Sequence, residues 1–295
     1  MTVLPLSEAA ARPRRVAVGE FDGVHLGHRE VIDGADTVLT FDPHPLAVIR
    51  PEAAPRLLTS TAVKAEIIER LGVSEMVVIP FDETFAAQSA EEFIDSVLVE
   101  RLGATHVSVG ENFRFGHRAG GDAKLLGAHG GFETRVVALV EVEGEIVSSS
   151  HIRGLILAGD VEHAAVFLGD PFPMLGEVVG GDRRGRELGY PTANLVPDEG
   201  LICPGHGVYA CLATPPGGRP VPAAVNVGVR PTFQTGRGVL VEAFLIDWEG
   251  DLYGSPLRLD FLARLRGERR FGSVETLVEQ MGADVERARE ICAAT

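Results

Sequence analysis

Lysine is almost absent from this chain of 295 residues. Of the 27 lysines and arginines, two are lysines, Lys64 and Lys124, which leaves 25 arginines. Neither lysine follows a glycine or precedes a serine or threonine, so the sequence contains no Walker-type phosphate loop. If the protein binds ATP, other residues must hold the phosphates.

Cysteine is also scarce, and its three positions, Cys203, Cys211 and Cys292, form no C-x-x-C pair. Their odd number and spacing suit a reducing cytosol and exclude a cysteine-based metal site. Residues 1–15 lack the apolar core of a signal peptide, and no apolar run is long enough to span a membrane. We therefore expect a cytoplasmic protein with no membrane partner.

Positive charge is in deficit, because 42 acidic residues against 27 lysines and arginines give a formal net charge of −15. This balance argues against nonspecific binding to nucleic acid, so no nucleic-acid partner is expected. It does not exclude a nucleotide substrate, since a local site can be positive on an acidic protein. With 45% hydrophobic residues, the chain has ample core for one large domain or two ordinary ones.

The first part of the chain alternates short apolar runs with amphipathic stretches, which predicts an α/β domain with a doubly wound, mostly parallel sheet. The predicted strands are Val16–Val18, Thr37–Phe41, Met76–Ile79, Val107–Val109 and Val136–Val142. The predicted helices are Leu26–Ile32, Ala62–Leu71, Ala90–Leu102, a helix ending at Ala158, and Val161–Leu168.

The pattern changes at Gly169–Pro173, which predicts domains over residues 1–170 and 171–295. Beyond this point, short strands separated by Gly/Pro turns predict a small antiparallel β-barrel. The strands lie near Gly176–Val179, Gly207–Ala213, Val221–Val227, Val239–Ile246 and Pro256–Arg264. A C-terminal helix over Val274–Ala293 has one apolar face, which we expect to pack on the barrel.

The stretch from Gly19 to His28 reads G-E-F-D-G-V-H-L-G-H and follows the first predicted strand. Its glycines allow the backbone to approach a ligand closely, and a helix beginning near Leu26 would turn free N–H groups toward the turn. A turn with two surface histidines is the plainer interpretation. The combination of H-x-G-H with a strand–helix turn favours a nucleotide-phosphate site.

Three other segments of the first domain carry polar or aromatic groups where strands end or helices begin. Pro43-His44-Pro45 is a rigid loop at the carboxyl end of a strand, where ligands of open α/β sheets bind, although an ordinary loop is equally compatible. The phenylalanines of Gly110–Gly116 could stack on a flat ring or fill the core. Ser148–Arg153 could cap a helix or hold a polyphosphate.

In the second domain the polar motifs lie between Gly180 and Asn194, and at Glu242. A glycine-rich basic loop from Gly180 to Gly189 can wrap phosphates with backbone N–H groups. Thr192 and Asn194 are two residues apart and face one side of an extended segment, where neutral oxygens suit Mg²⁺ carried by a nucleotide. Glu242 interrupts an apolar strand, so it either faces solvent or acts as a base in a pocket.

Taken together, these motifs resemble those of the bifunctional bacterial riboflavin kinase/FMN adenylyltransferase (FAD synthetase) family, over nearly the whole chain and both domains. The motifs are Gly19–His28, Phe41–Pro45, Gly110–Gly116, Ser148–Arg153, Gly185–Leu195, Gly207–Ala210, Asn226–Phe233, Glu242 and Arg266–Phe271. The resemblance implies a nucleotidyltransferase-like first domain and a riboflavin kinase-like barrel. H-x-G-H marks a superfamily, whereas Pro191–Asn194 with Glu242 is more specific for flavokinase.

For the barrel, the resemblance implies that Glu242 is the base toward the riboflavin 5′-hydroxyl, which attacks the γ-phosphate of ATP. Mg²⁺, entering with ATP, would be held by Thr192 and Asn194. The implied ATP-binding residues are Gly185, Arg186, Gly189, Pro191, Thr192 and Asn194. The implied flavin-side residues are Glu242, Arg266, Glu268 and Phe271.

For the first domain, the resemblance implies transfer of AMP from a second ATP to FMN, with release of pyrophosphate. His25, His28 and Arg153 would be the catalytic groups. The implied ATP-binding residues are Gly19, Phe21, Asp22, His25, Gly27, His28, Ser148, Ser149, Ser150 and Arg153. The implied flavin-side residues are Pro43, His44, Pro45, Asn112, Phe113, Arg114 and Phe115.

The sequence departs from the family pattern after His28, because Arg29–Thr37 is a short connection to the next strand. The first helix should therefore have about two turns. Ser150 stands where the family commonly has threonine, which keeps the hydroxyl. FMN and FAD are expected as substrate and product rather than prosthetic groups, and the protein as a monomer or weak homo-oligomer.

Other functions remain open from the sequence. The first domain could be inactive in adenylyl transfer, which would leave a riboflavin kinase. A flavin or nucleotide sensor without turnover is disfavoured because Thr192, Asn194 and Glu242 are all present. A nicotinamide-dependent oxidoreductase is disfavoured because Gly19–Gly27 lacks the G-x-G-x-x-G spacing.

Overall fold

The computed structural model describes residues 1–180, 190–198, 200–229 and 239–295. The chain forms two compact units, Met1–Ser149 and Ser150–Thr295. This division comes earlier in the chain than the boundary predicted at residue 170, which was placed by the change in sequence pattern. The position of the functional domain boundary therefore stays a prediction.

The first unit is built on a parallel sheet of six strands, with order β1-β4-β3-β2-β5-β8. Neighbouring strands are parallel throughout. The strands up to β8 are β1 (Thr2–Pro5), β2 (Arg14–Val18), β3 (Thr37–Asp42), β4 (Glu75–Pro80), β5 (Ala104–Gly110), the short pair β6 (Arg114–Phe115) and β7 (Gly121–Asp122), and β8 (Glu133–Val137). The predicted doubly wound parallel sheet is confirmed.

The helices of this unit connect the strands and cover the sheet. They are α1 (Leu26–Ile32), α2 (Pro45–Ile49), α3 (Thr61–Arg70), α4 (Glu83–Ala86), α5 (Ala90–Glu92) and α6 (Ala123–Ala128), with 3₁₀ turns at Leu6–Glu8, Pro51–Ala53 and His117–Ala119. Helix α1 has seven residues, which agrees with the two turns expected. The core lies where apolar strand residues such as Val18, Leu39 and Val107 meet the helices.

Two predicted elements were wrong in detail. The helix expected over Ala90–Leu102 is α-helical only to Glu92 and continues as a π-helix over Phe93–Arg101. Its end is marked by the Leu102 N–H, which donates to the carbonyl of Val97, five residues earlier. Its apolar residues are nevertheless buried, so amphipathicity placed the segment without revealing the hydrogen bonds between residues five apart.

The strand predicted over Val136–Val142 was also wrong, because the chain divides there. Strand β8 ends at Val137, and a hairpin of β9 (Glu141–Val142) and β10 (Glu145–Ile146) begins after it. Glu143 and Gly144 adopt φ values of 55° and 83° at the hairpin turn. A turn with two positive φ values reverses the chain tightly between β9 and β10. The predicted run divides before that turn, because residues 138–140 belong to neither strand.

The second unit contains two helices and then a closed antiparallel barrel of order β11-β12-β15-β14-β13-β16. The strands are β11 (Phe172–Val179), β12 (Ala193–Pro197), β13 (Gly207–Thr214), β14 (Val221–Val229), β15 (Val239–Leu245) and β16 (Pro256–Arg266). The helices are α7 (Ser149–Ala158), whose first residue closes the first unit, α8 (Val161–Leu168) and α9 (Val274–Ala293). Helix α9 packs on β13 and β14, which confirms the predicted barrel with its C-terminal helix.

Strand β12 was not predicted as a strand, although an extended segment was expected at Thr192–Asn194. It pairs with β11 on one side and with β15 on the other. Among the described residues, no helix is both long enough and apolar enough to cross a membrane.

Candidate active sites

Three of the predicted segments lie at one edge of the parallel sheet. Gly19–His28 follows β2, Pro43–Pro45 follows β3, and Gly110–Gly116 begins at the end of β5. Strand β2 lies between β3 and β5, so the carboxyl ends of all three strands meet. Because the chain order reverses there, a crevice opens at this edge, the usual place for a ligand in such sheets.

The turn after β2 is held in an unusual backbone conformation. Phe21 and Val24 have φ values of 52° and 43°, and both side chains are buried. Such conformations cost on the order of 1 kcal/mol each for residues other than glycine, so contacts must hold the turn in place. Asp22 Oδ1 accepts hydrogen bonds from the main-chain N–H groups of Leu58 at 2.8 Å and Thr59 at 3.2 Å.

His25 and His28 stack at the start of α1. Their ring centroids are 3.5 Å apart, and the planes differ by 15°. His25 is the N-cap, and its Nδ1 accepts the His28 main-chain N–H at 3.2 Å. A neutral His25 ring therefore carries its proton on Nε2. Burial, the His25 ring and the Lys64 charge hold the pKa of His28 well below its usual range, so His28 is a neutral imidazole near pH 7.

Gly27 is required by the close approach of the His25 ring. A β-carbon at position 27 would lie 3.3 Å from His25 Cε1 and 3.4 Å from its Nδ1. Gly19 has a similar role, since its β-carbon would lie 3.0 Å from Cζ of Phe21. Two of the three glycines of the motif, Gly19 and Gly27, therefore make room for aromatic rings of the same turn.

The Ser148–Arg153 segment is divided between the two units. In the first unit, Ser149 Oγ donates to the main-chain carbonyl of Asp22 at 3.0 Å, so it is tied to the turn after β2. Ser148 is half-buried beside it in sequence. In the second unit, Arg153 Nη1 lies 3.5 Å from Ser150 Oγ, one helical turn earlier on α7. The participation of Ser150 and Arg153 in the phosphate site stays a prediction.

An aromatic cavity lies beside the carboxyl ends of β3 and β4. Its interior volume is about 150 Å³, and it is open to solvent on one side. Pro45, Arg114 and Phe115 line it, and their assignment to the flavin side stays a prediction. The lining residues that the sequence analysis did not assign to the flavin side include Phe41, Ile49, Phe81, Phe85, Gln88 and Phe93. Hydrophobic walls with a few polar groups are typical of pockets for flat organic ligands.

The other predicted flavin-side residues flank this cavity without lining it. His44 caps α2, because its Nδ1 accepts the Leu46 N–H at 3.1 Å, and Pro43 precedes it on the surface. Phe113 stacks on Phe115 with centroids 5.5 Å apart, whereas Asn112 is exposed. Phe115 belongs to the core and also lines the cavity, whereas stacking of these rings on a flat ligand stays a prediction.

A second candidate site lies on the barrel, where three polar residues share one row. Asn194 on β12 pairs in register with Glu242 on β15, which pairs with Asn226 on β14. Asn226 Nδ2 lies 3.5 Å from Glu242 Oε2. Their strand neighbours, such as Val241 and Ala243, are fully buried, so the row lies on the outer barrel face. The alternation along β15 therefore places Glu242 on the outer face, as expected, but there it lies between the side-chain amides of Asn194 and Asn226.

Asn194 has an unpaired oxygen in this row. Its side chain is 7% exposed, and Oδ1 has no hydrogen-bond partner within the described part of the chain. A buried carbonyl oxygen without a donor is costly, which fits a cation or another donor at that point. Thr192 lies two residues earlier, just before β12, and Pro191 precedes it. Gly185, Arg186 and Gly189 lie outside the described residues, as do residues 230–233 of the predicted motif.

Glu268 reaches the same row from the segment after β16. A β-carbon on Gly228 would lie 2.7 Å from Glu268 Oε1 and 3.7 Å from Asn226 Nδ2. The Glu268 carboxylate therefore lies over Gly228, next to Asn226. His206 Nδ1 is 3.8 Å from the other Glu268 oxygen. Asn226 and Gly228 were quoted in a motif without a role, because strand order rather than sequence spacing brings them to Glu242.

Arg266 is held by α9. Its guanidinium group donates to both Asp284 oxygens at 2.8–3.1 Å and lies 5.6 Å from the centroid of Phe271. Gln280 Nε2 also donates to Asp284 at 2.9 Å. Asp284 is 7% exposed, so it is a buried anion that fixes the 266–271 segment against the helix. The sequence analysis missed Asp284 because it falls on an ordinary amphipathic pattern.

Comparisons with known proteins cover both units. A family model described as FAD synthetase matches residues 7–151, and one described as riboflavin kinase matches residues 168–292. A bifunctional riboflavin kinase/FMN adenylyltransferase of Escherichia coli (strain K12) is 35% identical over 97% of this chain and 95% of its own. A protein of the same description from Bacillus subtilis (strain 168) is 35% identical over 92% and 90%.

A solved structure described as a macrolide-efflux protein from Streptococcus pneumoniae has the same fold. Its TM-score is 0.87, with 30% identity over 98% of this chain and 99% of that chain. Likeness of fold does not by itself assign an activity, so that description carries no weight against the agreement of the two family models.

Proposed function

Because this chain belongs to the bifunctional riboflavin kinase/FMN adenylyltransferase family, we propose that it makes FMN and then FAD. The barrel unit phosphorylates riboflavin with ATP. The parallel-sheet unit transfers AMP from a second ATP to FMN and releases pyrophosphate. The small-molecule partners are then riboflavin, FMN and ATP. FMN is the product of the first reaction and the substrate of the second, and FAD is the final product, so neither acts as a prosthetic group.

In the kinase reaction, Glu242 takes the proton of the riboflavin 5′-hydroxyl. Asn226 lies beside one carboxylate oxygen and orients the group, while Glu268 approaches the same row from the flavin side. A positioned carboxylate base assists attack of the hydroxyl oxygen on the γ-phosphate of ATP, and the rest of the catalysis is alignment and charge stabilisation.

Mg²⁺ fits the barrel site through neutral oxygen donors. Asn194 Oδ1 is buried and lacks a donor among the residues described, and the Thr192 hydroxyl is two residues away. Hard oxygen ligands of this kind suit an ion that arrives with nucleotide phosphates. Once bound, Mg²⁺ would supply charge neutralisation for the triphosphate. Thr192 and Asn194 are the residues that would hold it.

In adenylyl transfer, the FMN phosphate attacks the α-phosphate of ATP. The second pKa of a phosphate monoester is about 6, so the nucleophile needs no protein base near neutral pH. A neutral His25 would donate through Nε2–H, because its Nδ1 accepts the His28 main-chain N–H. The neutral His28 ring stacks on it, so the pair would place hydrogen-bonding groups at the phosphates. The aromatic cavity beside the same strands would take the flavin ring.

The observation that carries the proposal is the in-register row of Asn194, Glu242 and Asn226. The test is incubation of purified protein with riboflavin, ATP and Mg²⁺, followed by chromatography of the flavins. We expect FMN to appear first and FAD later. Accumulation of FMN without FAD would leave the alternative of a riboflavin kinase alone, and absence of FMN would refute the proposed mechanism.

A kinase-only function is less well supported, because a FAD synthetase model matches the first unit and the H-x-G-H turn is complete. The short α1 does not remove a group from that turn, since both histidines lie in its first turn or just before it. A cytoplasmic location and a monomer or weak homo-oligomer remain predictions from the sequence.

A further inference from the structure

Lys64 is a buried cation at the edge of the sheet that carries the H-x-G-H turn. It is 2% exposed, and its ammonium group donates to the Glu20 main-chain carbonyl at 2.6 Å and to the Thr40 hydroxyl at 3.3 Å. It also lies 3.7 Å from Glu20 Oε1. The ammonium thus makes two hydrogen bonds and one ion pair, an arrangement around a single nitrogen that suits a compact ammonium better than a planar, forked guanidinium. In a chain with 25 arginines among 27 basic residues, this position selects lysine.

The carbonyl that Lys64 holds belongs to the turn with positive φ values. The Thr40 hydroxyl donates to the same carbonyl at 3.1 Å, so the carbonyl accepts two hydrogen bonds. Two residues later, Asp22 is held by the N–H groups at Leu58 and Thr59. The Gly23 main-chain N–H also donates to Thr59 Oγ1 at 3.1 Å. Residues 58–64 therefore hold the turn at Glu20, Asp22 and Gly23, and the Lys64 contact is the one adjoining β2.

The Glu20 side chain is the counter-charge of Lys64. It is 22% exposed, and its Oε2 has no hydrogen-bond partner in the part of the chain that the structure describes. The charged groups that face it are Lys64 from α3, Asp22 from the turn and Asp42 from the end of β3. The pKa of Glu20 is raised to about 7, chiefly by burial and also by the charges of Asp22 and Asp42, while Lys64 acts in the opposite direction. The Lys64 charge also reaches His28, whose pKa it helps to lower.

We propose that Lys64 and Glu20 are positioning residues for adenylyl transfer at the Gly19–His28 turn, an inference that rests on the function proposed above. Lys64 fixes the turn through the Glu20 carbonyl. The Glu20 carboxyl sets how much of the Lys64 charge acts on a bound triphosphate. When Glu20 is ionised it neutralises that charge, and when it is protonated the charge is available. ATP binding at this site therefore weakens as pH rises through neutrality.

The first test uses Lys64→Met, which keeps the length of the side chain and removes its charge and donors. FAD synthesis from supplied FMN should show a KM for ATP raised about tenfold or more, because a buried charge and the turn that it holds are both lost. FMN formation from riboflavin should stay within about twofold of wild type, since the kinase residues lie on the barrel. The kinase activity thus serves as the internal control for folding.

The second test uses Glu20→Gln, which keeps the shape of the side chain and the Lys64 hydrogen bonds but does not titrate. Its kcat/KM for ATP in FAD synthesis is compared with that of wild type between pH 6 and pH 8.5. The ratio of wild type to Glu20→Gln should fall about fivefold to tenfold over this range. Titration of ATP and FMN cancels in the ratio, because both proteins use the same substrates.

A folded Lys64→Met protein with an unchanged KM for ATP overturns the inference. A ratio of wild type to Glu20→Gln that stays constant with pH overturns it as well. If Lys64→Met does not fold, the pH series with Glu20→Gln decides alone. If wild-type protein makes no FAD from FMN, adenylyl transfer itself is refuted. That result differs from both results above, which concern the variants.

Discussion

At the scale of single residues, the Gly19–His28 turn depends on the absence of a side chain at position 27. The His25 ring lies where a β-carbon of residue 27 would come within 3.3–3.4 Å, closer than most real contacts of that kind. The same ring caps α1 and stacks on His28. One absent methyl group therefore allows the two side chains proposed as catalytic to take up their positions together.

Gly27→Ala should displace the His25 ring by a few tenths of an ångström. Since misplaced catalytic groups lose rate steeply, we expect FAD synthesis from FMN to fall by about tenfold to a hundredfold. The matched control is Gly127→Ala, because its new β-carbon would meet no atom within 4 Å and Gly127 has no positive φ. Gly130→Ala is a poor control because the φ of Gly130 is 73°. Equal FAD synthesis rates in Gly27→Ala and Gly127→Ala would contradict this account of the motif.

The buried carboxyl of Glu20 should also affect the stability of the fold. Its pKa is raised to about 7 in the folded protein, so the folded state binds a proton more tightly than the unfolded chain. The resulting stabilisation is complete below the unfolded pKa and is lost as pH rises through about 7. Melting temperatures of wild type and Glu20→Gln, measured from pH 5 to pH 8.5, should show Glu20→Gln gaining on wild type with rising pH. A constant difference would refute the raised pKa.

At the scale of secondary-structure elements, the proposed kinase site is formed by the order of the strands in the barrel. Strands β12, β15 and β14 are neighbours in the barrel but are separated along the chain by turns and by β13. Only this order places Asn194 and Asn226 on either side of Glu242 among the described strands. Helix α9 then holds the 266–271 segment through the bond between Asp284 and Arg266.

Loss of that bond should affect flavin binding in the kinase. Asp284→Ala leaves the largely buried Arg266 without its carboxylate, which should destabilise the second unit by about 3 kcal/mol and raise the KM for riboflavin. FAD synthesis from FMN should change little. Asp247→Ala, which breaks the exposed pair with Arg289 on the same helix, is the matched control and should leave both quantities near wild type. An Asp284→Ala protein with an unchanged KM for riboflavin would contradict this role.

The elements that could be predicted from the sequence are those in which apolar residues recur at helix or strand spacing along the whole element. Helix α9 and most barrel strands follow directly from their apolar spacing. The π-helix at Phe93–Arg101 could not be distinguished, because its buried face differs little from that of an α-helix over nine residues. Strand β1 was missed because it is a short, mostly exposed edge strand, and the aromatic cavity was missed because Phe81, Phe85 and Phe93 come from different elements.

At the scale of the whole molecule, two units of different architecture each carry a site for ATP chemistry, according to the proposed function. The parallel sheet gathers its groups at the carboxyl ends of β2, β3 and β5, whereas the barrel gathers them on one outer face. The fold of each unit and the motifs could be predicted from the sequence. The contacts that Lys64, Asn226 and Asp284 make with motif residues could not be predicted, because tertiary packing alone brings these residues together.

The central claim is that one chain holds two separate active sites, and Glu242→Gln tests it most directly. The glutamine keeps the shape of the side chain and removes the proposed base. Flavin chromatography should show no FMN formed from riboflavin and ATP, while FAD forms from supplied FMN and ATP at the wild-type rate. Loss of both activities in a folded Glu242→Gln protein, or FMN formation at the wild-type rate, would contradict the account.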